Sequence, residues 1–237
     1  IKADIRRYEQ GLTGTLTLAI EPNAVMTLPT GVLGAYRSAR PGISLNLVTS
    51  SGASALESLT SGEVDGVVSI PMCDDSFEYA SVLREPLCIV IHAEQLGATQ
   101  ANSPDHTTSQ SALNQLNGKV LCGVAREHPI EAQICGYLAR HGVFVTMCYD
   151  YPSAMLALEA ARAGLGGCIM TAAAASSFTA ESGLVVVRLD APDAEGSDPA
   201  GPPQWEVGVT YRRDSSKAPM IADLVAYLRG ASHAGGA

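Results

Sequence analysis

The feature that most constrains this chain is an alternation of short apolar runs and helix-like segments in its first seventy residues. Short apolar or alternating runs predict strands, and they occupy residues 15–20, 44–49 and 65–69. Apolar side chains at helical spacing predict helices between them, over residues 28–40 and 51–61. In the first helix Leu28, Val32 and Tyr36 share one face. The predicted order is strand, helix, strand, helix, strand.

Two successive crossovers of this kind require a parallel sheet. Ligands of such sheets bind at the carboxyl ends of the strands. We therefore expect functional side chains in the turns that follow the strands, at residues 21–24, 49–52 and 69–71. The hydroxyls and amides of the second turn are suited to binding a carboxylate or a phosphate, with simple capping of the next helix as the alternative.

The same pattern recurs in the second half of the chain. Strands are predicted at residues 86–91, 119–124, 144–149, 168–170 and 184–189, and helices at 130–141, 153–163 and 172–178. Ser153 is the expected N-cap of its helix. Arg126 directly follows one of these strands, where it would face a ligand, with a surface position as the alternative.

The segments between and around these repeats differ in composition. Residues 97–118 are rich in Ser, Thr, Asn and Gln, which predicts a loop or linker between two lobes. A last strand is predicted at 205–211 and a last helix at 218–229. Residues 1–10 have the pattern of the end of a longer helix, and residues 231–237 are expected to be disordered.

Composition excludes several classes of protein. The formal net charge of -9 and the lack of a Lys/Arg-rich run disfavour direct binding of this chain to DNA. No run of about 18 apolar residues is present, so we expect a soluble chain with no membrane contact. The six cysteines show no Cys-x-x-Cys spacing, and most lie in apolar runs. We therefore expect buried thiols in a reducing cytoplasm, and no metal site.

Motifs of catalysis and of cofactor binding do not fit the predicted elements. Gly164-Leu165-Gly166-Gly167 follows a helix and precedes a strand, whereas a dinucleotide loop must follow a strand and open a helix. No Gly-x-Ser-x-Gly elbow is present for a serine hydrolase. We expect a binding protein that has no enzymatic activity and needs no cofactor.

The ordered series of motifs resembles the effector-binding domain of LysR-type transcriptional regulators. The resemblance spans residues 12–229 and rests on the segments 14–20, 28–29, 41–47, 51–52, 85–90 and 163–169, together with Tyr36, Leu56, Leu59, Gly62 and Asp65. It implies an α/β, type 2 periplasmic-binding-protein-like fold of two Rossmann-like lobes joined by two crossing strands. Those strands would be residues 86–93 and 205–212.

The resemblance also implies a function and a set of contacts. A small, anionic effector would bind between the lobes, and the candidate effector-binding residues are Glu21, Asn23, Ala24, Thr49, Ser50, Ser51, Ser69, Arg126, His128, Tyr151 and Thr171. The chain would form a homodimer through helices 28–40 and 130–141, with a tetramer as the alternative for the full-length protein. DNA would be bound only by an N-terminal winged helix-turn-helix that these residues do not include.

The implied domain boundaries follow from the crossing strands. Residues 1–11 would end a linker helix, lobe I would comprise 12–92 and 206–230, lobe II would comprise 93–205, and 231–237 would form the tail. The alternative with the same architecture is an extracytoplasmic solute-binding protein of a transporter. The free-looking cysteines favour the regulator.

Overall fold

The computed structural model describes residues 13–22, 24, 30–50, 52–71, 75–96, 110–123, 129–151, 153–176, 183–189 and 201–234. The chain divides into two compact units, the first formed by Ile1–Arg84 with Glu206–Ala237 and the second by Glu85–Trp205. Among the described residues, the strands are β1 (Gly14–Ile20), β2 (Ile43–Thr49), β3 (Gly66–Ser69), β4 (Phe77–His92), β5 (Val120–Cys122), β6 (Thr146–Cys148), β7 (Gly167–Thr171), β8 (Leu184–Arg188) and β9 (Gln204–Arg212). The helices are α1 (Thr30–Ala39), α2 (Gly52–Ser61), α3 (Gln110–Asn114), α4 (Pro129–Arg140), α5 (Ala154–Arg162), α6 (Ala172–Ser176) and α7 (Ala218–Ala234).

The sheet of the first unit is built around β1. It pairs in parallel with β2 along its whole length and with β3 on its other side, and β9 adds to β3 in antiparallel orientation. Strand β1 lies between two other strands, and its side chains Leu16, Leu18 and Ala19 are fully buried. Helix α2 packs Ala55 and Leu59 against Ala19 and Val67. The predicted parallel strand-helix order of this unit is confirmed.

The sheet of the second unit is mixed. Strand β5 pairs in parallel with β6 on one side and with β7 on the other, and β4 runs antiparallel to β7 and to β8. All five residues of β7 are buried. Gly167 is required there, because a Cβ at this position would lie 2.8 Å from Ile89 and from Leu121. Ser153 caps α5 as predicted, and its hydroxyl accepts a hydrogen bond from Leu156 N at 3.4 Å.

A polar cluster fastens α1 to α7 in the first unit. Asp223 accepts hydrogen bonds from Arg40 Nε at 2.8 Å and Nη2 at 3.0 Å, a bidentate arrangement. The buried hydroxyl of Tyr36 donates to the same carboxylate at 3.1 Å. The ring of Tyr36 meets that of Tyr227 edge to face, with centroids 5.3 Å apart. The two helices are thus held by charge, hydrogen bonds and ring packing together.

Two predictions about helices are corrected. Helix α3 lies inside the segment predicted as a linker, and Leu113 and Leu116 are buried. The segment is polar overall, so its few apolar side chains did not predict a helix. In α1 the buried residues are Leu33 and Tyr36, whereas Val32 is only half-buried and Leu28 lies outside the described residues. The burial of Tyr36 is as predicted, whereas Leu33 and not Val32 is the other buried residue of this face.

The carboxyl-terminal helix and one strand also differ from expectation. Helix α7 continues to Ala234, so residues 231–234 are helical although the sequence predicted a tail from 231. Ile221, Leu224 and Leu228 form its inward face and are fully buried. Strand β6 is shorter than the predicted 144–149, and Phe144 is 67 % exposed. Residues 1–10, predicted to be helical, lie outside the described residues.

Strands β4 and β9 contribute residues to both units. Strand β4 begins at Phe77, well before the predicted start of its run, because Phe77 packs against the core of the first unit. Residues Cys88–His92 of β4 pair with β8 in the second unit. The division between the units falls within the strands, after Arg84 and after Trp205.

Replacing Asp223 with Ala should lower the free energy of unfolding by about 2 kcal/mol, because Arg40 and Tyr36 lose a shared, partly buried acceptor. Urea unfolding should show a lower midpoint at an unchanged slope. Asp214→Ala is the control, since that carboxylate is 89 % exposed and lies 3.8 Å from Arg212, and its effect should stay within about 0.5 kcal/mol. Equal effects of the two substitutions would contradict the role given to Asp223.

Candidate functional site

In the first unit, the carboxyl ends of the three parallel strands meet at one edge. Glu21 follows β1, Ser50 follows β2 and Ser69 ends β3. Backbone hydrogen bonds tie these ends together, from Glu21 N to Val68 O at 3.0 Å and from Ser50 N to Ile20 O at 3.3 Å. Three of the predicted site residues therefore lie side by side.

Glu21 occupies the amino end of α2. Its Oε1 accepts a hydrogen bond from Gly52 N at 3.3 Å, the first residue of that helix. Burial raises the pKa of Glu21, and the hydrogen bond from Gly52 partly offsets this. The carboxylate of Glu21 thus accepts the hydrogen bond of an amide that could otherwise bind an anionic ligand.

The other predicted residues of this edge differ in their burial and in the hydrogen bonds that they form. Ser69 is fully buried, and its hydroxyl donates to Ile70 O at 2.8 Å. Ser50 Oγ lies 3.0 Å from Ser54 Oγ. Ala24 is buried and donates its amide to Glu21 O at 2.9 Å, which closes the turn after β1. Thr49 is exposed on β2, and the predicted residues Asn23 and Ser51 lie outside the described residues.

In the second unit, β5, β6 and β7 bring their carboxyl ends together in the same way. Thr171 ends β7 and is buried, and its Oγ1 accepts a hydrogen bond from Ala174 N at 3.3 Å. Its hydroxyl also bonds the side chain of Glu85. Burial raises the pKa of Glu85, and the bond to Thr171 partly offsets this. Tyr151 follows β6 and is half-buried, whereas Arg126 and His128 lie outside the described residues.

Sequence reasoning missed Glu131, which lies in the first turn of α4 and is only 6 % exposed. Its Oε2 accepts a hydrogen bond from the hydroxyl of Tyr149 at 2.8 Å. Its Oε1 is buried, and no described residue forms a hydrogen bond with it. Gly123, directly after β5, makes room for this oxygen, because a Cβ there would overlap with it. An acidic residue in the first turn of a helix is common, so the sequence offered no signal.

Charge at the two edges is uniformly acidic within the described part of the chain. Of the described residues that directly follow the parallel strands or open the next helix, the charged ones are Glu21, Glu131 and Asp150. Glu85 adds a fourth carboxylate beside Thr171. No three His, Cys, Asp or Glu side chains among the described residues are placed to hold a metal ion.

Three cysteines lie in register across the second sheet. Cys122 on β5 is opposite Cys148 on β6 and opposite Cys168 on β7. Burial raises the pKa of Cys122 to about 11 and that of Cys168 to about 12, so both remain protonated at neutral pH. Both are buried and free, as the apolar runs predicted, but Cys148 is only half-buried.

Within the described residues, no helix is long and apolar enough to cross a bilayer.

Comparisons with known proteins agree on one family. The model of the LysR substrate binding domain matches residues 9–232. Among solved structures, a sulfate-bound regulatory domain of an OxyR2 mutant from Vibrio vulnificus is 18% identical, with a TM-score of 0.69 over 93% of this chain and 97% of that chain. No curated protein sequence matches the chain.

Two further similar structures contain chains that are longer than this one. A peroxide-bound OxyR mutant from Corynebacterium glutamicum is 19% identical, with a TM-score of 0.72 over 98% of this chain and 71% of that chain. The LysR family transcriptional regulator CbnR is 17% identical, with a TM-score of 0.68 over 96% of this chain and 73% of that chain. These likenesses show that the predicted α/β fold, type 2 periplasmic-binding-protein-like with two lobes, is correct.

The pKa of Glu21 leads to a prediction for stability against pH. A carboxyl whose folded pKa is raised stabilises the fold below its unfolded pKa, and this contribution is lost as pH rises through the folded pKa. Glu21→Gln should therefore be more stable relative to the parent protein at pH 7 than at pH 4. Chemical unfolding at both pH values measures the difference, and Glu57→Gln, an exposed residue of α2, is the control. A difference that does not change with pH would contradict the assignment.

Proposed function

Because the chain belongs to the LysR substrate-binding domain family, we propose that it senses a small, anionic metabolite and passes this signal to a DNA-binding domain. The observation that carries the proposal is the edge of polar side chains at the ends of parallel strands in each unit, on a fold whose relatives are regulators. The solute-binding protein of a transporter has the same architecture, and the family match favours the regulator.

The proposed effector contacts fall into two groups. Ser50, Tyr151 and Glu21 keep polar atoms at the strand ends and are proposed to contact the effector, as is exposed Thr49. Asn23, Ser51, Arg126 and His128 are proposed on the sequence alone, with Arg126 binding the acidic group. Ser69, Thr171 and Ala24 use their hydrogen bonds within the protein, so we assign them the role of shaping the edge.

Transmission of the signal is proposed to follow the family pattern. A winged helix-turn-helix at the amino end of the full-length protein would bind DNA, and the effector would change the arrangement of the lobes or of the dimer partners. An effector shifts such an equilibrium only by the difference of its affinities for the two arrangements. The net charge of -9 disfavours contact with the phosphates of DNA, which supports the proposal that this domain does not bind DNA itself. Binding rather than catalysis, in the cytoplasm, is the proposed activity.

A homodimer is the proposed assembly, formed by α1 of one subunit and α4 of the other. Both helices expose small side chains, which allow close approach of a neighbouring helix: Gly31, Gly34, Ala35 and Ser38 on α1, and Ala132 and Ala139 on α4. No atom lies within 4 Å of where a Cβ would stand at Gly31 or Gly34, so this face of α1 is open within the described residues. Twofold symmetry would use the pair of helices twice.

Ala35→Arg should convert the dimer into a monomer at micromolar concentration, because a long cation would stand in the proposed helix contact. Sedimentation velocity measures the change in mass. Ser61→Arg, at an exposed position at the end of α2, is the control and should remain dimeric. A parent protein that is already monomeric, or two variants that behave alike, would contradict the proposed interface.

Arg126→Ala should weaken effector binding by about 10- to 100-fold, since a charge-assisted contact contributes about 1.5 to 3 kcal/mol. The effector is first found by a thermal-shift screen of small carboxylates, because a ligand of the native state raises the melting temperature. Calorimetry then compares the variant with Arg213→Ala, an arginine that is 66 % exposed in the first unit. Unchanged affinity would remove Arg126 from the site, and a screen without a single hit would count against effector sensing.

A further inference from the structure

The carboxylate of Glu131, at the strand ends of the second unit, is only partly hydrogen-bonded within the described residues. The side chain is 6 % exposed, so water does not compensate for missing partners. One oxygen accepts a hydrogen bond from the hydroxyl of Tyr149 at 2.8 Å, and the other, Oε1, has no partner among the residues that the structure describes. Buried polar atoms are nearly always hydrogen-bonded, so an unpaired carboxylate oxygen requires an explanation.

Glu131 Oε1 is directed at the end of β5. It lies against the backbone of Gly123, at the place where any other residue would carry its Cβ. The hydrogen bond of Gly123 N goes to Cys148 O at 2.8 Å, so this nearby amide is not free to satisfy the oxygen. The unpaired acceptor therefore belongs to the edge of the sheet at which ligands of this fold bind.

A second unpaired acceptor lies at the same edge. Glu85 Oε2 is buried without a partner in the described part of the chain, while the side chain of Glu85 forms a hydrogen bond with Thr171 at the end of β7. Strand β7 is the direct neighbour of β5, with Cys122 opposite Cys168. Two carboxylates with unpaired oxygens thus stand at adjacent strand ends, and the described residues at these strand ends supply no Lys or Arg to either.

We propose that Glu131 and Glu85 bind the ammonium group of the effector, which is therefore an α-amino acid or a closely related amine-bearing acid. This inference rests on the proposed function and specifies its ligand. An ammonium group has three N–H donors and no acceptor, so it matches carboxylate oxygens that lack donors. Its charge offsets the acidic character of the described edge. The acidic group of the same molecule remains the partner proposed for Arg126.

The test compares matched pairs of ligands. Proteinogenic amino acids and the same acids without the amino group, such as phenylalanine and 3-phenylpropionate or glutamate and glutarate, are assayed by thermal shift and calorimetry on the whole chain. At least one amino acid should bind about 10- to 100-fold more tightly than its des-amino partner. Equal or tighter binding of the des-amino acid overturns this inference and leaves effector sensing intact. Binding by no compound of any class counts against both.

The matched variant is Glu131→Gln. Its amide oxygen keeps the bond from Tyr149, but a donor replaces the unpaired acceptor. The preference for the amino acid over its partner should disappear, with a melting temperature no lower than that of the parent protein. Gly123→Ala, whose Cβ would displace Oε1, should give the same loss. Glu159→Gln, 57% exposed on α5, is the control and should keep the preference. If Glu131→Gln has a lower melting temperature and still binds the amino acid more tightly than its partner, then Glu131 has only a structural role and the inference is wrong.

Discussion

The parallel pairing of a central strand with both of its neighbours is the constraint on which each unit depends. In the first unit β1 pairs with β2 from Gly14 opposite Ile43 to Ile20 opposite Thr49, so both strands end at the same level. In the second unit β5 has the same position between β6 and β7. Because parallel neighbours end on the same side of the sheet, the residues just after the strands lie near one another although they are distant in sequence. The register itself therefore creates the edge where polar side chains collect.

The carboxylates of these edges are held in environments that cost free energy. Glu21 and Glu85 have a raised pKa because burial disfavours their charged forms, and a single hydrogen bond offsets this only in part in each case. Glu131 has one satisfied oxygen and one that is not. A core composed for stability alone would replace such groups with apolar side chains. Their presence at the strand ends is typical of binding sites, where stability is exchanged for recognition.

The fold could be predicted from the sequence to a large extent, because hydrophobic periodicity reports local structure directly. Leu16 and Leu18 in β1, and Ile221 and Leu228 in α7, were placed correctly by spacing alone. The errors came from segments where composition and spacing disagree. Helix α3 was not predicted, because it lies among Ser, Asn and Gln residues. Phe144 was predicted to belong to a strand, although it is exposed.

The candidate site was less predictable than the fold, because hydrogen bonding between side chains leaves no periodic signal. The parallel order placed Glu21, Ser50 and Ser69 at one edge, but only the structure shows that the hydroxyl of Ser69 is already used. The link between Tyr149 and Glu131 joins residues that are 18 positions apart and that carry no motif. Distances of this kind arise from tertiary packing, which a single sequence does not specify.

The crossing of β4 and β9 between the units has a consequence for how the chain folds. The second unit is continuous in sequence, whereas the first is formed by both ends of the chain. Its sheet is complete only when Gly66 pairs with Tyr211, and the hydrogen bonds that join α1 to α7 include one from Arg40 to Asp223, which spans 183 positions. Contacts of such long range form slowly, and a chain made from its amino end cannot form these until residues 206–223 have been synthesised. The second unit can therefore nucleate first and bring together the two halves of the first.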